Sequence, residues 1–158
     1  MKYSKQDQRL LAVWAADCAE RVLPFFEKAY NDERPRKAIE ACRTWVRTGV
    51  FKMADIRKAS LDAHTAAKKA KENTPAHFAA HAAGQAVATA HVPEHAFGPA
   101  YYALKAVAAN SGDVLKEYNW QLSHLPKKLR KGWIDWQEKR MPKNLRAYLR
   151  RKYLKTTT

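Results

Sequence analysis

The sequence predicts an all-α fold: a single-domain multi-helix bundle carrying a basic helical extension at its C-terminus. Three observations lead there. The 158 residues hold only five glycines, while alanine, the strongest helix former, is abundant. Apolar residues return at spacings of three and four along most of the chain, as on a helix with one face turned inward. No segment alternates β-branched and polar residues as a half-buried strand does. At 46% hydrophobic and 28% charged, the composition is that of a folded globule rather than a disordered tail.

The first helix is expected over about residues 5 to 25–30, with Leu11, Trp14, Cys18, Val22 and Phe25 as its inner stripe. Pro24 has no N–H for the Glu20 carbonyl, which predicts a kink or break there. After a turn at Asn31-Asp32-Glu33, Pro35 fits the first turn of a second helix and Gly49 its stop. Ile39, Cys42 and Val46 point inward on that helix. The third helix, about 52–71, is expected to bury Met53, Ile56, Ser60, Ala63 and Ala67. Thr74-Pro75 reads as a cap and proline start for a fourth, alanine-rich helix, whose small residues all round suit a central position. A fifth helix follows Gly98-Pro99 and ends at Asn110-Ser111-Gly112. A sixth runs from about Asp113 to Leu125-Pro126, and two shorter helices divided by Pro142 complete the chain. The expected division is 1–125 for the bundle and 126–158 for the extension packed on it.

The N-terminus lacks the apolar core of a signal peptide, so the protein is expected in the cytoplasm. Residues 75–93 have the length of a membrane span. They contain three histidines and Gln85 between two prolines, which reads as a buried core helix and implies no membrane. Cys18 and Cys42 have neither CxxC nor metal spacing and are expected as reduced packing residues.

Charge is the strongest bulk signal. Thirty Lys and Arg against fifteen Asp and Glu give +15. Residues 126–158 hold twelve basic and two acidic side chains (+10), and residues 1–125 hold eighteen and thirteen (+5). Within the extension, Lys127, Lys128, Arg130, Lys131, Arg146, Arg150 and Arg151 are candidate polyanion contacts. They are interleaved with Trp133, Trp136, Tyr148 and Tyr153, which could stack on unpaired bases. The helical spacing of Leu129, Trp133 and Trp136 argues instead that these aromatics pack inward.

Two further groups invite chemistry. Asp17, Glu20, Arg21, Arg34, Arg36, Glu40 and Arg43 border the apolar stripes of the first two helices. They are read as interhelical ion pairs, with a pocket of convergent arginines for an anion as the alternative. His91-Val92-Pro93-Glu94-His95 matches the H-x-x-E-H string of a class of zinc peptidases. Pro93 disrupts the helix that would have to align both imidazoles, so no metal is assigned. His77 and His81, four apart with His64 facing them, are read as hydrogen-bonding rather than metal-binding. No nucleophile context and no phosphate loop occur, so no catalytic residue and no cofactor are implied.

Three blocks carry a resemblance: Asp17-Cys18-Ala19-Glu20-Arg21-Val22-Leu23-Pro24, then Arg34-Pro35-Arg36-Lys37-Ala38-Ile39-Glu40-Ala41, then Gly84-Gln85-Ala86-Val87-Ala88-Thr89-Ala90-His91-Val92 followed by His95-Ala96. Over about residues 7–125 the chain resembles the immunity-protein-like family of small helical bacterial and archaeal proteins. The resemblance implies a helical bundle, a prokaryotic cytoplasmic protein and a non-enzymatic binder of another protein. A chain at +15 is repelled by basic partners, so the protein it occludes is expected to be acidic. Nucleic-acid binding through 126–158 is the alternative function, and a metal-dependent enzyme using the histidines is the second.

Overall fold

Ser4 sets the start of the first helix, because its hydroxyl accepts from the Asp7 N–H while the Asp7 carboxylate accepts from the Ser4 N–H. In this computed structural model, which describes residues 2–157 and the side chains of 2–151, α1 runs Lys5–Glu27 without interruption. The break expected at Pro24 does not occur. Pro24 and Glu20 are both exposed, so the one missing backbone bond falls on the solvent side, a single turn from the helix end.

Gly49 takes φ 69° and donates to the Trp45 carbonyl, closing α2 (Arg34–Thr48) by the left-handed stop that glycine adopts without penalty. α3 spans Met53–Lys69 and α4 Thr74–Ala88. The cap of α4 is Asn73, whose Oδ1 accepts from the Ala76 N–H at 3.2 Å. Thr74 and Pro75 lie inside the first turn, one place later than the sequence reading put them.

A 3-10 turn (Pro93–Ala96) leads into α5 (Phe97–Ala109). Asp113 caps α6 (Val114–His124), and a second 3-10 turn (Lys127–Leu129) precedes α7 (Arg130–Arg140) and α8 (Lys143–Thr157). Among the described residues there is no strand, and no helix is long and apolar enough to cross a membrane. The fold is the all-α bundle the composition predicts.

α4 lies at the centre, packed against α1, α2, α3 and α5. Its Ala76, Ala79, Ala80, Ala82, Ala83, Gly84, Ala86 and Val87 are all buried. Side chains this small let four neighbours approach one helix closely, and close approach is where dispersion contacts accumulate. The larger core residues come from the neighbours. Trp14 of α1, Phe97 of α5 and Trp133 of α7 form a three-ring cluster with centroids 5.8–6.1 Å apart. The Trp14 indole N–H donates to the Gln121 carbonyl at 2.8 Å, and Gln121 Nε2 donates to the Ala100 carbonyl at 2.9 Å. These bonds hold α6 against α1 and α5.

Candidate functional site

The seven charged residues of the first two helices do not converge. Arg43 of α2 reaches across to α1 and donates to both Asp17 and Glu20 at 2.9 Å. Arg36 forks onto Glu27, and Arg34 onto Asp32. Arg21 turns the other way, to Glu117 of α6, at 2.7 and 2.9 Å from its two oxygens, with its guanidinium 4.0 Å above the Trp120 ring. Glu40 is exposed and makes no ion pair among the described residues. Each of these arginines already faces a carboxylate, which holds Glu27 and Asp32 below the usual carboxylate range. The arrangement is a set of separate ties between elements, with no free guanidinium aimed at a common point.

Five of the seven named C-terminal cations are engaged as well. Lys128 pairs with Asp7 of α1 at 2.8 Å, and Lys131 with Asp135 at 2.7 Å. Arg130 Nε donates to the Leu125 carbonyl, and Arg146 and Arg150 both take Glu138. Of the named contacts, Lys127 and Arg151 have no such partner among the described residues. Trp133 is fully buried, and Trp136 packs edge-on to Tyr101. Tyr148 is exposed, and the side chain of Tyr153 lies outside the described residues.

The histidines are spread over three bonds. His64 of α3 meets His81 of α4, Nδ1 to Nδ1, at 2.6 Å; one ring donates and the other accepts. His77 Nδ1 donates to the Ala67 carbonyl at 2.7 Å, and His95 bonds Gln85 at 3.0 Å. In the peptidase-like string, His91 lies before the 3-10 turn and stacks on Phe51, while His95 takes Gln85 as its partner. Among the described residues no group of three or more His, Cys, Asp or Glu is arranged to hold a metal ion. Burial pushes the Cys18 thiol well up and the Cys42 thiol up to about 12. Both are free and buried, unlike the exposed, low-pKa thiol of a reactive cysteine.

The feature the stripes did not foretell lies at the α2–α3 corner. Val50, Phe51, Met53 and Leu61 are large apolar side chains exposed by 60, 42, 44 and 55%. Met53, expected on the inner face of its helix, begins α3 one turn before the bundle covers it. Two shallow grooves flank the corner. One, of about 310 Å³, runs along α3 past Met53, Ile56, Ser60 and Leu61 to Ala88 and His91. The other, of about 290 Å³, is lined by Trp45, Val50 and Ile56 among others. Ile56, almost fully buried, forms the floor of both. Around them stand Arg9, Lys52 and Arg57, all exposed. Among the described residues none of the three has an ion pair, and Arg47, Arg130, Arg140 and Arg151 have none either. The sequence signal was available in one place: Val50-Phe51 are two apolar residues just past the Gly49 stop.

Residues 1–128 match the family described as Imm-5 like putative immunity protein. No curated protein and no solved structure matches the chain.

Proposed function

The chain belongs to the Imm-5 like putative immunity protein family, and from that membership we propose that it is a non-enzymatic binding protein that occludes an acidic protein partner. The observation that carries this reading is the α2–α3 corner, where exposed apolar side chains and unpaired arginines occur together. A soluble bundle gains nothing by exposing Phe51 and Leu61 to water, whereas a buried interface uses such side chains as its anchors. Free guanidinium groups around an apolar centre steer a carboxylate-bearing surface toward it. The overall charge of +15 works in the same direction at longer range.

The test is affinity capture with the purified chain, on nuclease-treated lysate of its own cell, followed by reconstitution with the recovered protein. A stoichiometric complex with one acidic protein, weakened by salt, is the expected result. Recovery of nucleic acid before nuclease treatment and of no protein after it would overturn the reading.

A further inference from the structure

We propose that the groove along α3 is the seat of an amphipathic helix with acidic flanks, presented by the partner protein. The inference rests on the partner-binding reading and adds where on this chain, and to what kind of segment, binding occurs. Met53, Ile56, Ser60 and Leu61 follow one another at spacings of three, four and one on α3. They make a strip of about two turns, roughly 12 Å long. The opposite wall is Ala88 at the end of α4 together with His91. A strip of this length with small residues between apolar ridges accepts the apolar face of a short helix, read at i, i+3, i+4 and i+7. Phe51 stacks on His91 of that wall, with ring centroids 6.2 Å apart and an interplanar angle of 16°.

Charge selects among the occupants. Arg57 lies on the groove wall, Lys52 and Asp55 both line the adjoining groove, and the Arg9 guanidinium lies against Gly49 at its edge, so cations outnumber carboxylates there. Asp62, beside Leu61 in sequence, is occupied by Lys58 at 2.6 Å, which leaves Asp55 as the one carboxylate among the described residues lining either groove. A second copy of the chain would bring +15 against +15 and set free arginines against free arginines, which disfavours self-association. A membrane would meet the same cations, but a concave groove offers a lipid surface less contact than it offers a helix.

The experiment uses the full chain, labelled with ¹⁵N. Three probes are added separately: a Leu/Glu amphipathic peptide of about four helical turns, its Leu/Lys counterpart, and phosphatidylglycerol vesicles. Saturable shifts confined to residues 47–62 and 88–91 with the acidic peptide alone are expected. Phe51→Asp with Leu61→Asp should weaken that binding about tenfold or more, as loss of interface anchors does. Lys52→Gln with Arg57→Gln should reduce its salt dependence while keeping the shifts. All four positions are exposed, so thermal melting should stay at the parent value. Shifts elsewhere, equal binding of the Leu/Lys peptide, or vesicle binding lost in the Asp variant would overturn the groove assignment. So would a concentration-dependent dimer lost in that variant. The failures separate cleanly. If the captured partner remains bound to the Asp variant, the groove is wrong and the partner reading stands. If no partner is captured yet the acidic peptide occupies the groove, the partner reading falls and the groove stands.

Discussion

His64 and His81 share one hydrogen across the α3–α4 interface, their Nδ1 atoms 2.6 Å apart. The contact depends on Gly84, because a Cβ there would lie 2.7 Å from His64 Nε2. His81 also stacks on Tyr102 and meets His77 edge-on. Burial first, then His64, His77, Lys68 and Lys105, bring the His81 pKa down from 6.5 to about 4. Burial, Lys68 and His95 lower His64 as well.

This pair makes stability depend on pH in a definite direction. The unfolded chain takes up a proton near pH 6.5, whereas folded His81 resists it until about pH 4. Its stabilising effect is therefore complete above 6.5 and lost as pH falls through that window. Because the ring is only half-buried, solvent screening reduces its share to about 1–2 kcal/mol. Urea unfolding at stepped pH should show that loss in the parent and a flatter curve in His81→Gln. Identical slopes in the two proteins would refute the assignment.

Arg21 and Glu117 are the ion pair whose loss should be felt. The Glu117 side chain is 9% exposed and that of Arg21 36%, so Arg21→Ala strands a nearly buried carboxylate and also uncovers Trp120. A cost of about 2–3 kcal/mol is expected, below the fully buried range because Arg21 is partly solvated. Asp17→Ala should cost about 1 kcal/mol or less, since Asp17 is 39% exposed and Arg43 keeps Glu20. Chemical denaturation of both variants checks the order. A larger loss for Asp17→Ala would show that the α1–α2 tie had been undervalued.

Trp133→Ala should cost about 3–5 kcal/mol, because the ring is fully buried between Trp14 and Phe97. Among the described residues its indole N–H has no hydrogen-bond partner, so Trp133→Phe loses area but no bond and should cost less. A melting temperature unchanged by the Ala variant would place this tryptophan outside the core.

These contrasts show what a single sequence makes legible. Helices whose apolar residues repeat without interruption were readable. Leu11, Trp14, Cys18 and Val22 of α1 are buried as spaced, and alanine content alone placed α4 at the centre. Partner choice among charges was not readable, since Arg21 finds Glu117 ninety-six residues away and nothing local distinguishes it from Arg43. The α2–α3 corner was hidden for a different reason. Periodicity reports which residues turn inward but is silent on apolar residues left outside, so Phe51 and Leu61 passed unnoticed.

The last prediction concerns the basic segment 126–158, where the two classes of partner give opposite results. Its twelve cations outnumber its two carboxylates, so some attraction to a polyanion is unavoidable. What matters is how many of those charges are free to neutralise phosphate. Lys128, Lys131, Arg146 and Arg150 each hold a carboxylate, whereas among the described residues Lys127, Arg130, Lys139, Arg140, Lys143 and Arg151 hold none, and Trp133 is unavailable for stacking. Binding to duplex DNA should therefore rest on phosphate contacts alone, independent of sequence, and it should decay with salt. Replacing Arg146, Arg150 and Arg151 together by Gln removes three formal charges, yet only Arg151 lacks a carboxylate partner among the described residues. The slope of log affinity against log salt should then fall by about 1, because each phosphate contact contributes about 0.9 to it. A fall of about 3 would mean that phosphate displaces Glu138 from both arginines. Tight binding that survives high salt, with that larger change in slope, would put nucleic acid ahead of an acidic protein as the partner.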